Sequence, residues 1–178
     1  MRLATVLFFL TGLFAVIVPV YAQTYKVEMD LVGPRGKIKP IGTITIKDTS
    51  DGVVFTPSLK TLPTGLHGFH VHENPSCDPA VDPELGKPAA ARSAGEHLDP
   101  QNTGHHDGPI GTGHLGDLPA LSVNIEGKAE IPVVARRLEM SDLRGHSLII
   151  HAGGDNYSDV PQKLGGGGPR IACGIINP

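Results

Sequence analysis

The sequence predicts an all-β sandwich or flattened barrel, on three observations. Short apolar stretches alternate with period two, the mark of half-buried strands. Turn residues recur between them, with 23 Gly and 16 Pro among 178 residues. No window shows the apolar stripe of an amphipathic helix.

The first strand runs from Thr24 to Val32, where Tyr25, Val27, Met29 and Leu31 alternate with polar neighbours, and Gly33-Pro34-Arg35-Gly36 turns the chain. Pro40 to Lys47 sets Ile41, Thr43 and Thr45 against Gly42, Ile44 and Ile46, and ends at Thr49-Ser50-Asp51-Gly52. Gly52 to Leu59 is the third strand; Gly65 to His72, after the turn at Pro63-Thr64-Gly65, is the fourth. Ala120 to Ile125, Lys128 to Val134, Ser147 to His151 and Arg170 to Ile176 bring the expected number to eight. Two long segments do not follow the strand pattern, Glu73 to about Pro119 and Ala152 to Pro169, the second containing Gly165 to Gly168. Long loops without elements of their own are usually functional in a compact domain. There is neither an internal repeat nor an interdomain linker.

Residues 1–22 read as a leader. Arg2 supplies the basic start, Leu3 to Val20 an apolar run, and Val20-Tyr21-Ala22 a small-residue cleavage site, so the mature domain is expected to span 23–178. An uncleaved anchor is the alternative, and Pro19 with the adjoining processing site favours removal. The mature chain is then an exported protein without stable membrane contact. Export suits a disulfide, and Cys77 with Cys173 is the available pair. The net charge of −3, with no basic run, argues against a nucleic-acid partner. An anionic substrate would need a local positive field.

The chemistry is concentrated between His97 and Asp117. That stretch holds His97, His105, His106, His114 and Asp117 among Gly, Pro and small polar residues, and reads as a metal-ligand loop. Imidazole nitrogens and a carboxylate oxygen are the usual partners of zinc, and the glycines let the loop bend to gather them. His70 and His72 stand two apart on a strand and so share a face, while Phe69 and Val71 take the opposite face toward the core. His67 has the parity of Phe69 and is expected to be structural, bonding to backbone. His151 ends the apolar stretch Leu148-Ile149-Ile150, followed by Gly153, Gly154 and Asp155.

Four segments together resemble the copper-zinc superoxide dismutases, in particular their exported bacterial branch. These are GLHGFHVHENPSCDP, SAGEHLDPQNTGHHDGPIGTGHLGDLPAL, GHSLIIHAGGDNYSD and LGGGGPRIACGIINP, in family order and spanning nearly the whole mature chain. The resemblance implies an eight-stranded antiparallel Greek-key flattened barrel with two long functional loops. It implies one copper and one zinc ion per subunit, and an enzyme that dismutes superoxide to dioxygen and hydrogen peroxide in the periplasm.

Carried onto this chain, the family pattern places copper on His70, His72, His97 and His151, and zinc on His97, His106, His114 and Asp117. His97 then bridges the two ions and passes a proton to the second superoxide. His106 is preferred to His105 because it precedes Asp107-Gly108-Pro109, as the bacterial ligand does. Asp155 is expected to join the far nitrogens of His70 and His106. Arg170, three residues before Cys173, matches the family's active-site arginine, with the disulfide helping to hold it. A set of imidazoles alone suits a copper that changes oxidation state, whereas a carboxylate in a closed tetrahedron suits zinc. The second loop carries Asp155, Asp159 and Lys163 but lacks the charged pattern of the eukaryotic branch, and Lys163 is given only an auxiliary steering role. The chain has no Trp, an aromatic that some bacterial dimers use at their contact, so both monomer and homodimer stay open. A metal-storing relative of the same fold would be expected to lack a copper ligand or the arginine, and all are present.

Overall fold

The computed structural model describes residues 23–177; the expected leader lies outside the described residues. Eleven strands are found there: β1 (Thr24–Gly33), β2 (Gly36–Thr49), β3 (Gly52–Leu59), β4 (Gly65–His67), β5 (Phe69–His72), β6 (Ala80–Asp82), β7 (Lys87–Ala89), β8 (Leu121–Val123), β9 (Val133–Ala135), β10 (His146–His151) and β11 (Arg170–Ile176). Three short 3-10 turns, at Arg92–Ala94, Met140–Leu143 and Leu164–Gly166, are the helical structure among the described residues.

Seven strands form one antiparallel sheet in the order β5-β10-β11-β1-β2-β3-β9. β4 pairs with β8, and β6 with β7. Phe55 on β3 and Phe69 on β5 belong near opposite ends of the large sheet, yet their rings meet edge to face at 5.8 Å. The sheet is therefore curled, and both ends line one interior with Ile44, Ile46, Leu118, Leu121, Leu148 and Ile150. This is the expected flattened barrel. Burying side chains of this size stabilises the fold by roughly 1.5–3 kcal/mol each before the entropy of ordering is set against it.

Local chemistry explains where the strands depart from the expected eight. Ile41, Ile44 and Ile46 are all buried, although strict alternation would turn Ile41 outward. The register against β1 slips between Met29 and Asp30, which inserts Ile41 as an extra residue and lets it point inward. The expected strand Gly65–His72 is two strands, because Gly68 bonds elsewhere. Its N–H donates to Gly153 O at 2.8 Å and its carbonyl accepts from His151 N at 2.8 Å. Only Val133–Ala135 of the later stretch is a strand, although Ala129 also bridges to Leu59.

The first long segment contains a hairpin, β6–β7, that alternation did not predict. Its residues are half-exposed or exposed, with Pro79 and Pro83 beside β6 and Pro88 inside β7, so it carries no apolar period. Asp82 closes the hairpin, accepting from Glu84 N and Leu85 N at 3.0 Å each. The Cys77–Cys173 disulfide, with Cα atoms 5.7 Å apart, fastens this loop to β11. Around it Val32, Ala91, Ala94 and Ile149 form a second, smaller apolar cluster outside the barrel.

Candidate metal centre

β5 has a sheet partner on one side, β10, and offers its other edge to the ligand loop. Edge groups left unpaired and buried would be unfavourable, so the loop pairs with them. Val71 N donates to Gly116 O and Leu98 N to Val71 O, each at 2.9 Å. Bridges between His72 and His97 and between His70 and Asp117 complete the seam. The seam sets His97 and Asp117 beside the outer face of β5. Phe69 and Val71 fill the interior, so His70 and His72 occupy that outer face, and β10 ends beside them at His151.

His70, His72, His97, His106, His114, Asp117 and His151 are all buried. Each ring except that of His114 has one nitrogen fixed by an oxygen. His70 Nε2 and His106 Nε2 each lie 2.8 Å from a different oxygen of Asp155. His72 Nδ1 lies 3.1 Å from Gly95 O, His97 Nδ1 2.8 Å from Asp117 Oδ1, and His151 Nδ1 2.9 Å from Gly168 O. The opposite atoms, His70 Nδ1 and Nε2 of His72, His97 and His151, are buried without a partner, as are Nδ1 of His106 and His114. Leaving a buried polar atom unsatisfied disfavours a fold by about 1–3 kcal/mol. A whole set of them turned into one space is what a metal site requires.

The donors form two groups. His70, His72, His97 and His151 offer ligand atoms that all lie within 4.8 Å of one another. A second set within the same limit is His70, His97, His106 and Asp117. His114 stands beside it, with Nδ1 3.5 Å from Asp117 Oδ1. Asp155 takes the Nε2 of His70 and leaves its Nδ1 as the atom that faces both groups, and His114 lies at the border of the second. His106 Nδ1 and Asp117 Oδ2 lie 2.9 Å apart without the geometry of a hydrogen bond. That separation is near the edge of a coordination tetrahedron, roughly 3.3 Å for bonds of about 2.0–2.1 Å.

Electrostatics follows from burial and the two carboxylates. Desolvation holds the His72 and His151 imidazoles well below their ordinary range, reinforced by neighbouring rings, and brings His97 down to about 3. These rings are neutral donors at physiological pH. Burial disfavours the charge on Asp117, but its contacts with His106, His114 and His97 outweigh that and keep its carboxyl far below the usual range. Asp155 is likewise lowered, by His106 and His70 against the effect of burial. For His106 burial pulls downward, yet Asp117 and Asp155 prevail and raise it to about 9.

Arg170 lies at the mouth of the first group, on a cleft of about 690 Å³ that also exposes His151, Arg92, Glu96 and Lys163. Its Nη1 donates to Ala91 O at 2.7 Å and its Nη2 to Gly95 O at 2.6 Å. His105 is exposed and its ring contacts Thr103 O, so only its carbonyl supports the centre, accepting from His114 N. His67 places its nitrogens 2.8 Å from His151 O and Pro63 O, the structural role expected of it.

Several supports were not evident from sequence. Arg137 reaches the carbonyls of Gly108, Gly113 and His114. Asp159 accepts from His106 N at 2.8 Å and Leu164 N at 2.9 Å, tying the ligand loop to the second loop. Gly165 there has φ +70°, and a Cβ would overlap the Asp155 carboxylate. These residues act on backbone groups whose positions only the fold defines.

A family model described as Copper/zinc superoxide dismutase (SODC) matches residues 40–176. The chain is 56% identical over 156 residues to Superoxide dismutase [Cu-Zn] 2 of Salmonella typhimurium, covering 87% of this chain and 89% of that relative. Among solved structures it is similar to the Cu/Zn superoxide dismutase from Brucella abortus. That match has a TM-score of 0.84 at 48% identity over 87% of this chain and 100% of the other. It is also similar to the solution structure of the monomeric copper, zinc superoxide dismutase from Salmonella enterica, with a TM-score of 0.77 at 54% identity over 87% and 100% of the two chains.

Proposed function

We propose, for a chain that belongs to the copper/zinc superoxide dismutase family, that His70, His72, His97 and His151 hold copper while His97, His106, His114 and Asp117 hold zinc. The enzyme converts two superoxide anions to dioxygen and hydrogen peroxide. The observation that carries the assignment is the set of buried, unpartnered donors, one ring nitrogen from each of the six histidines and Asp117 Oδ2, which leaves every proposed ligand with an atom for an ion. Copper held there supplies the one-electron couple that oxidises one superoxide and reduces the next, and zinc keeps the loop closed without changing oxidation state.

The chain's own residues bind, orient and move protons. Arg170 keeps a permanent positive charge at the cleft and receives the anion with the N–H groups that its two carbonyl partners leave free. His97 Nε2 can hold a proton in place of copper and pass it to the peroxide product, the second proton coming from water. Asp155 fixes the rings of His70 and His106 through its two oxygens, so each presents Nδ1 to its own ion. The enzyme is exported to the periplasm by residues 1–22 and protects against superoxide there. The apolar leader, the disulfide and the bacterial relatives support this reading. The monomeric Salmonella enterica relative favours a monomer over a homodimer.

The test is superoxide dismutation by residues 23–178 loaded with both ions, beside His72→Ala and Arg170→Ala, with a metal count on each. His72→Ala should lose copper and activity together. Arg170→Ala should lose activity with copper retained. Two bound ions and no dismutation in the unaltered chain would reject the assignment.

A further inference from the structure

Arg170 has a carboxylate neighbour. Glu96 Oε2 lies 3.7 Å from Arg170 Nη2, too long for a hydrogen bond but close enough to oppose the guanidinium charge. The other oxygen of the same carboxylate, Oε1, accepts from Arg92 Nη2 at 2.8 Å. Arg92 is in turn braced by Asp82, whose Oδ2 is 3.3 Å from its Nε and whose Oδ1 closes the β6–β7 hairpin. The Glu96 backbone is pinned as well, its N–H donating to Glu73 Oε2 at 2.9 Å. Only the side chain of Glu96 is left to choose between two arginines.

We propose that Arg92 is a positioning residue for the substrate-docking cation, holding the Glu96 carboxylate away from Arg170 so that the guanidinium stays available to a superoxide anion. The inference rests on the docking role assigned to Arg170 above. Arg92, Glu96, Arg170 and His151 share one cleft, so the charge balance among the first three is set where the anion arrives. Burial lowers Arg170 to about 10, with Glu96 raising and Arg92 lowering it, so the two neighbours act on it in opposite senses. Without Arg92, the carboxylate closes on Arg170 as an ion pair at a charge-assisted distance of about 2.7–2.9 Å. An incoming anion must then displace it. Glu96 is half-exposed, so the expected effects are those of a solvent-screened pair, about two- to fivefold.

The experiment is a double-mutant cycle of Arg92→Ala and Glu96→Gln in the enzyme loaded with both ions. It reads kcat/KM for superoxide at low and high salt, and the dissociation constant of azide from the visible absorption of copper. Arg92→Ala should lower kcat/KM and weaken azide binding about two- to fivefold, with metal content unchanged. Glu96→Gln should raise both, and the double variant should match Glu96→Gln. High salt should shrink every difference. If Arg92 only shaped the 3-10 turn, its loss would persist undiminished in the double variant, and that outcome overturns the proposal. Should Arg92→Ala fail to fold, Glu96→Gln decides alone: a rise in azide affinity and kcat/KM supports the proposal, and no change overturns it. Arg170→Ala is run in parallel. If it leaves azide affinity and kcat/KM intact, the docking role of Arg170 itself is wrong, a result separate from the outcome of the cycle.

Discussion

His72 and Arg170 are tied to a single atom. The carbonyl oxygen of Gly95 accepts from His72 Nδ1 at 3.1 Å and from Arg170 Nη2 at 2.6 Å. One bond leaves the Nε2 of His72 free of a partner, and the other fixes the Arg170 guanidinium at the cleft. The metal ligand and the substrate-docking group of the proposed assignment therefore share one backbone anchor, at the end of the turn that Arg92 begins.

That anchor depends on glycine. Gly95 has φ +80°, and a Cβ there would overlap the Glu73 carboxylate and lie 2.8 Å from Asn74 Nδ2. Gly95→Ala is expected to destabilise the protein by about 1–3 kcal/mol. It should also weaken copper binding and lower kcat/KM together, since both partners of the carbonyl move. Thermal unfolding and copper titration on the same sample check this. A loss of stability with copper affinity and kcat/KM unchanged would refute the shared anchor.

Asp155 links the two metal groups by holding His70 with one oxygen and His106 with the other, both at 2.8 Å. Asp155→Asn puts an N–H where one ring requires an acceptor, so at least one ring loses its orientation. Losing such a support typically reduces metal affinity about 10–100-fold. Competition against chelators for each ion separately should show both weakened, and an effect on one ion alone would mean that the carboxylate does not couple them.

The pH dependence of zinc binding follows from His106. In the metal-free protein Asp117 and Asp155 outweigh burial and raise this imidazole to about 9, above its ordinary 6.5. A raised pKa means that the proton favours the metal-free fold below about pH 6.5, and that this contribution disappears as pH climbs through 9. Zinc bound at His106, as proposed, must displace the same proton, so its affinity runs in the opposite sense, rising to about pH 9 and levelling above it. His97, lowered to about 3 chiefly by burial, gives up no proton in this range. Calorimetry in buffers of different ionisation enthalpy should find about one proton released per zinc at pH 7.5 on this account. A plateau in affinity by pH 7 would contradict it.

Sequence revealed the ligand candidates because their chemistry is written in residue type. Four histidines and Asp117 gathered in a Gly-rich stretch have few other uses, and alternation alone put His70 and His72 opposite Phe69 and Val71. The strands Gly52–Leu59 and Arg170–Ile176 were readable to the residue for the same local reason. The break at Gly68 was not, because its bonds reach Gly153 and His151, far along the chain. Nor was the β6–β7 hairpin, which is shaped by Asp82 and the disulfide loop and carries no buried face. Arg92, Gly95 and Arg137 escaped notice, and Asp159 was named without a role, because each acts through backbone groups or distant charges. No local pattern marks such a role.

Arg137 gives the clearest test of that hidden support. Its Nη1 donates to His114 O at 3.1 Å and Gly108 O at 3.3 Å, and its Nη2 to Gly113 O at 2.5 Å. The ligand loop from Gly108 to His114 has few apolar anchors, so this one guanidinium gathers carbonyls that would otherwise splay. Hydrogen bonds from a charged group contribute about 1.5–3 kcal/mol each, though three sharing one side chain do not add. Arg137→Gln should therefore destabilise the metal-free protein by about 2–3 kcal/mol and speed zinc release. Copper held by His70, His72 and His151 should be affected much less, because those residues sit on strands. Lysine at the same position keeps the charge but not the planar fork and should recover only part of the loss. Chelator-driven release of each ion, followed separately, distinguishes the cases. Equal acceleration for zinc and copper would mean that Arg137 supports the barrel as a whole rather than this loop.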